Sequence, residues 1–258
     1  MKLILEVDKI EKAAKVDPFP PDSPLPRRRV LFIQHGETDE PGLLEEVSIA
    51  AGCAFEILHP YRGDEIPAVP HGIDGLALGG GAQGVYEQDA YPYLREEISL
   101  AQAVIAEGKP AIGLCLGGQL LAAALGGTVA PAGYREVGVL PVRFHPASRE
   151  DPLFFDAPES VLVAHWHGDA FTVPHDAQVL ACSDLTPNQL FAWKNRVYGF
   201  QFHLEMTPDI LEEMVEDSMA DLAAIGVDGR SLAEAGHRSL PGTASFARSV
   251  FQRWFALV

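Results

Sequence analysis

IGLCLGGQLLA, residues 112–122, is the stretch on which the fold turns. With Pro110 and Ala111 it completes an apolar strand, PAIGLC (110–115), followed almost at once by a helix of small residues over 117–127, closed by Gly126 and Gly127. A buried strand running straight into a helix is the repeating unit of a parallel sheet with both faces covered. Cys115 stands at the junction. A nucleophile on a sharp strand-to-helix turn is pushed out of the sheet, where a substrate can reach it. Gly113 and Gly117 are small where strand, turn and helix pass closely. The first amides of the helix and its dipole favour a thiolate and can bind an oxyanion. Cysteines more often simply fill cores, and Cys53 and Cys182, which lack this setting, are read that way.

Outward from the junction the same alternation repeats. RVLFIQ (29–34), AFEILHP (54–60) and IDGLALGGG (73–81) read as strands, with helices expected near 41–52 and over 91–110. After 127 the pattern changes to short strands: GTVAPA, VGVLPVRF, SVLVAHW, AQVLACS, LFAWKN and RVYGFQFH. These predict β structure joining one side of the sheet. Helices at about 207–224 and 243–256 are expected to close the chain, separated by a Gly-rich stretch (226–242). The reading is one three-layer α/β/α domain over residues 29–258, with a mostly parallel central sheet and an active site at the strands' C-terminal ends. Residues 1–28, running into DPFPPDSPLPRRR, read as an N-terminal extension.

Composition narrows the function. The chain has 258 residues, 47% hydrophobic and 21% charged, with 19 basic against 36 acidic residues and a formal charge of −17. So large an acidic excess repels polyanions, so neither nucleic acid nor an anionic membrane surface is expected as a partner. No apolar run approaches the roughly 20 residues that cross a bilayer, and the N-terminus turns charged too early for a secretory signal. Three cysteines without a CxxC pair point to a reducing, cytoplasmic setting. No dinucleotide fingerprint and no Walker-type Gly-Lys-Ser/Thr occurs, so neither a cofactor nor an ATP-using synthetase is expected in these residues. His165, His167 and Asp169 alternate in a way that could hold a metal. Two imidazoles and a carboxylate are a weak signal, and no metal is expected. His71 and His145 read as surface histidines, and Trp166, Trp193 and Trp254 as packing.

YGFQFHLEMTPD (198–209) supplies what a thiolate nucleophile needs, a base far away in sequence. His203 and Glu205 stand two apart on extended backbone and face the same side. The carboxylate can therefore turn back to the imidazole, fix its tautomer and stabilise the imidazolium.

GLCLGGQLLA resembles the cysteine motif of class I glutamine amidotransferases, and GFQFHLE their strand carrying the His and Glu. GGGAQGVYE (79–87) is similar to their oxyanion loop. The three occur in the family's order, and the likeness covers roughly residues 29–210. HWHGDAFTVP (165–174), REVGVLPV (135–142) and Gln-Leu-Phe at 189–191 look like the stand-alone branch related to the amidotransferase domain of GMP synthase. The resemblance implies a flavodoxin-like fold and hydrolysis of the glutamine side-chain amide, with ammonia passed to a synthetase or other acceptor enzyme. It implies Cys115 as nucleophile forming a γ-glutamyl thioester, His203 as proton carrier and Glu205 as its orienter. Backbone amides of Gly81 and Leu116 would hold the oxyanion. Gly80, Gln119 and His167 would bind the glutamine, the last as part of a pocket-wall loop. Two positions depart from the usual pattern: Gly118, where many relatives carry histidine, and Ala82, where they carry proline and a stiffer loop. Two rival readings keep the same fold: hydrolysis of a γ-glutamyl peptide or amide other than glutamine, and a non-catalytic regulatory subunit.

Overall fold

The computed structural model describes residues 28–258, so the extension expected over 1–28 lies, apart from Arg28, outside the described residues. The strands are β1 (Arg29–Ile33), β2 (Ala54–Leu58), β3 (Gly75–Leu78), β4 (Ala111–Leu114), β5 (Val129–Phe144), β6 (Ser160–Phe171), β7 (Ala177–Cys182), β8 (Leu190–Trp193) and β9 (Val197–Phe200). They form one sheet in the order β2-β1-β3-β4-β9-β8-β7-β5-β6. The pairings from β2 across to β9 are parallel, and those from β9 to β6 are antiparallel. The short strands of the second half therefore extend one edge of the sheet, as their pattern predicts.

Side-chain alternation sorts the core into two layers. Val30 and Phe32 of β1 face a cluster completed by α1 (Leu43–Ala50) and α6 (Gly229–Phe255). Leu31 and Ile33 face the other side, against α2 (Tyr93–Ala106) and α3 (Leu116–Ala124). A third cluster joins α4 (Pro208–Asp217), α5 (Met219–Ala224) and the first half of α6 around Met206, Ile210 and Leu211.

Three local expectations are corrected. The Gly-rich stretch 226–242 is not a separator: α6 runs unbroken from Gly229 through Pro241 to Phe255. Its buried stripe, Leu232, Leu240, Val250 and Trp254 among others, outweighs the lost Pro241 N–H. Gly236 serves packing there, because a Cβ would come 2.6 Å from Leu211 Cδ2. Residues 207–224 form two helices, α4 and α5, meeting at Ser218. GTVAPA and VGVLPVRF belong to a single strand, β5, whose register shifts between Pro131 and Glu136. Gly133 sits in that bulge at φ +80. The extra residues there turn Glu136 inward opposite His167. Among the described residues no helix is long and apolar enough to cross a membrane.

Candidate active site

β4 ends at Leu114 and α3 begins at Leu116, which leaves Cys115 alone to make the turn. Its backbone is at φ 50, ψ −105, a conformation rare for a side chain larger than glycine and held here by its surroundings. The Cys115 amide donates to Phe200 O at 2.9 Å. The glycines are demanded by close approach: a Cβ on Gly113 would lie 2.3 Å from Gly117 C, and one on Gly117 2.1 Å from Leu78 O. At Gly118 a Cβ would lie 2.2 Å from Phe200 O, so α3 rides against β9 too closely for a side chain at this position.

β9 stops at Phe200, three residues short of His203, so the expected strand end is instead a bridge: the His203 amide donates to Ala164 O at 2.9 Å. Two residues on, Glu205 still turns back, and His203 Nδ1 meets Glu205 Oε1 at 2.6 Å. The Leu43 amide grips Glu205 O at 3.0 Å, and Gly42, at φ +49, is the residue that lets the loop come that close. With Nδ1 engaged by Glu205, Nε2 is left for Cys115. Burial pushes the His203 imidazole toward neutrality, but the Glu205 charge and a hydrogen bond with Cys115 overcome it and hold its pKa well above the ordinary value. The Cys115 thiol also lies 3.8 Å from Trp166 O and 3.9 Å from Gln201 Nε2.

These groups open into a cavity of about 690 Å³. Cys115, His203, Gly81, Gln119 and His167 line it, whereas Gly80 does not. Gly80 is turned away: its carbonyl accepts from His35 Nδ1 at 2.8 Å, and a Cβ on it would lie 2.9 Å from His203 Cε1. The Gln119 side chain donates to Gln201 Oε1 at 3.3 Å, and Gln201 Nε2 lies 3.9 Å from the Cys115 sulfur. The Leu116 amide heads α3 and has no intrahelical acceptor. Several groups at the site escape sequence reasoning. Asp39 on the β1–α1 loop borders the cavity; burial pushes its carboxyl above the ordinary range, with His35 and His203 opposing and Glu205 adding to it. Arg135 also lines the cavity, as does Asp169, which its spacing from His165 and His167 had already singled out in the sequence. The one signal for Asp39 is its place at the C-terminal end of a parallel strand.

The metal-type spacing in β6 resolves differently from His165, His167 and Asp169. The carboxylate that joins the two histidines is Glu136, and the three ligand atoms lie within 4.8 Å of one another. A divalent metal could use such donors. Glu136 Oε2, however, already accepts from Thr186 Oγ1 and Gln189 Nε2, both at 2.8 Å, and lies 3.2 Å from His167 Nε2. Burial alone would raise the Glu136 pKa; hydrogen bonds from His167, Ser183 and Thr186 with the His165 charge bring it to about 2. His165 is driven to about 4 by burial, Glu136 opposing. The arrangement reads as a hydrogen-bond network that fixes the His167 wall.

The family model for Glutamine amidotransferase class-I matches residues 43–222, well over half of the chain. The chain belongs to that family. A glutamine amidotransferase-like protein, YfeJ, of Salmonella typhimurium is 31% identical over 198 residues, spanning 76% of this chain and 83% of that protein. The GMP synthase of Aliarcobacter butzleri is 34% identical over 161 residues, which is 60% of this chain but only 29% of the synthase. Among solved structures, a glutamine amidotransferase from Thermotoga maritima superposes with a TM-score of 0.81 at 28% identity, covering 89% of this chain and 98% of that one. One from Methylobacillus flagellatus gives 0.81 at 26% identity, covering 90% and 96%. The fold is thus that of class I amidotransferases, as the motifs imply.

Proposed function

We propose that this amidotransferase hydrolyses the side-chain amide of glutamine through a covalent thioester on Cys115. The observation that carries it is the convergence, on one cavity wall, of a strained turn cysteine and a buried imidazole held above its ordinary pKa by Glu205. The imidazole beside the thiol is the proton acceptor that a cysteine nucleophile needs. Cys115 Sγ attacks the side-chain carbonyl carbon, and the oxygen takes up the negative charge near the Gly81 and Leu116 amides. His203 gives its proton to the leaving nitrogen, and ammonia departs as the thioester forms. The neutral His203 ring then takes a proton from water through the same Nε2, and that water attacks the thioester and releases glutamate and the thiolate. Glu205 holds Nδ1 and keeps the ring oriented throughout. Gln119, Arg135, Asp169 and the His167 wall offer polar groups of both signs to the α-amino and α-carboxylate ends of glutamine. Ammonia would pass to an acceptor enzyme; the relatives named GMP synthase are consistent with a synthetase in that role.

One observation favours a second reading. The cavity runs past the thiol to Met214, Ser218 and Ile225 of the α4–α5 segment, and its 690 Å³ is the size of sites that take drug-sized ligands. A γ-glutamyl compound with a larger amine would fit that space. The deciding measurement is kcat/KM for glutamine against a γ-glutamyl dipeptide and a γ-glutamyl polyamine. Glutamine is expected to be preferred. A tenfold preference for either large substrate, about 1.4 kcal/mol of transition-state binding, would transfer the assignment to γ-glutamyl hydrolysis.

A further inference from the structure

We infer that His35, held by Glu97, is a positioning residue that fixes the Gly80–Gly81 peptide and so aims the Gly81 N–H at the oxyanion. The inference rests on the thioester chemistry proposed for Cys115. His35 follows β1 and Glu97 lies on α2, and both side chains are fully buried. His35 Nε2 meets Glu97 Oε2 at 2.8 Å, and Nδ1 meets Gly80 O at 2.8 Å. The Gly80 carbonyl and the Gly81 N–H belong to one planar trans peptide, so they point in opposite directions. A carbonyl anchored on His35 leaves the N–H facing away from it, on the side of the cavity that Gly81 lines beside Cys115. Among the described residues that amide has no hydrogen-bond acceptor of its own.

The neighbouring peptides are tied down by backbone, but this one is not. The Gly79 amide donates to Ile33 O at 2.9 Å, and Gly79 O accepts from the Gly117 amide at 3.0 Å. Beyond them lie Gly80, Gly81 and Ala82, of which the glycines rotate their peptide at small steric cost. His35 is the side chain that supplies the missing constraint. It has one further tie to the loop, since Gln83 Nε2 donates to His35 O at 3.3 Å.

Proton counting shows why a glutamate is needed behind the histidine. A carbonyl only accepts, so Nδ1 must carry hydrogen. Nε2 faces a carboxyl group, so the pair holds one proton more than a neutral imidazole and a carboxylate would. If that proton left, the remaining imidazole hydrogen would go to the charged carboxylate, the stronger acceptor, and the Gly80 carbonyl would be released. The surroundings keep the proton in place. Burial pushes the His35 imidazole down, yet the Glu97 charge, the Gly80 carbonyl and Asp39 together hold it above its ordinary value. The Tyr93 hydroxyl, facing Glu97 from the same helix, is pushed up to about 12 and stays neutral. A buried ion pair is a poor source of stability compared with apolar packing, which suits a pair whose role is orientation.

The test compares His35→Phe, which removes the donor, with His35→Asn and Glu97→Gln. In His35→Asn the introduced amide can still reach Gly80 O. In Glu97→Gln the introduced amide can donate to Nε2 of a neutral His35 whose Nδ1 stays protonated. Ammonia release from glutamine by His35→Phe should lose about 10²- to 10³-fold in kcat, the cost of one oxyanion donor, with KM changed by less than about threefold. His35→Asn and Glu97→Gln should each regain at least about tenfold over it. Alkylation of Cys115 by iodoacetamide develops no oxyanion, so its rate should stay within about threefold in every variant. A crystal structure of His35→Phe should show the Gly80 carbonyl turned from its present place. The assignment is overturned if His35→Phe retains kcat within about threefold, if alkylation falls along with turnover, or if Gly80 O keeps its position in the variant. Absence of ammonia release by the unmodified chain would sink glutamine hydrolysis instead, and the Gly80 orientation in the crystal would then decide the role of His35. If His35→Phe does not fold, Glu97→Leu against Glu97→Gln poses the same question.

Discussion

The molecule buries imidazole beside glutamate in two regions, and the two behave oppositely. At the ends of the parallel strands, His203 meets Glu205 at 2.6 Å and His35 meets Glu97 at 2.8 Å, and both imidazoles are held above their ordinary pKa. In the antiparallel wall, His165 lies 3.8 Å from Glu136 and is pushed down to about 4. Burial alone favours the neutral ring in every case, and the contact decides the outcome. A glutamate within direct hydrogen-bond reach of one ring overrides the burial. Glu136 cannot, because its oxygen is shared among Thr186, Gln189 and His167. A charged imidazole is thus favoured at the strand ends and disfavoured at His165 in the wall.

The largest effect belongs to His203. His203→Ala should lower kcat for ammonia release by about 10⁴-fold or more, because the proton carrier itself is gone. Glu205→Gln should leave a remainder roughly 10- to 100-fold above that, since it disturbs tautomer and charge but not the transferring nitrogen. The double variant should be no slower than His203→Ala alone, and initial rates with glutamine decide both points. A Glu205→Gln enzyme as active as its parent would dissolve the pair.

Gly80 stands between the two charged pairs, its carbonyl on His35 and its α-carbon against the His203 ring. Gly80→Ala would place a methyl 2.9 Å from His203 Cε1, a ring held at both ends. A displacement of that order should cost about 10²-fold in kcat. Retention of full activity would show that the ring has more freedom than its contacts imply.

The wall should announce itself in stability rather than rate. His165 has a folded pKa of about 4 against an ordinary value of 6.5. Unfolded chain therefore takes up a proton that the folded chain refuses, and stability is lost as pH falls from 6.5 toward 4. The loss amounts to at most about 3 kcal/mol. His203 and His35 act in a different window: their raised pKa values give stability that is complete below 6.5 and is lost as pH rises through the folded values. The unfolding free energy measured with denaturant should accordingly rise from pH 4 to 6.5 in the parent and flatten in His165→Asn. An unchanged slope in the variant would mean that another group carries it.

The smallest expected change is in the activity of that same variant. His165 does not border the cavity, so His165→Asn should keep kcat for glutamine within about threefold near neutral pH. A loss comparable to that of Gly80→Ala would place His165 in the proton path and erase the distinction between the regions.

Local chemistry was enough to find the parallel half and the strand-to-helix turn that carries Cys115. The apolar strands of 29–33, 75–78 and 111–114, the glycines around Cys115 and the two-residue spacing of His203 and Glu205 each carry their meaning within a short segment. So do the three motifs by which the chain resembles its family. Tertiary structure alone decided whatever depends on residues far apart. His35 and Glu97 are 62 positions apart, and either one by itself is an ordinary residue of a loop or a helix. Glu136 reaches His165 and His167 only because a bulge in β5 turns it inward, where spacing alone had offered Asp169. Helix α6 continues through Pro241 because the apolar stripe it buries is worth more than one backbone hydrogen bond, a balance that propensity along 226–242 cannot reveal. Short-range rules fix what a segment can do. Which buried charge keeps its proton depends on what the fold sets against it.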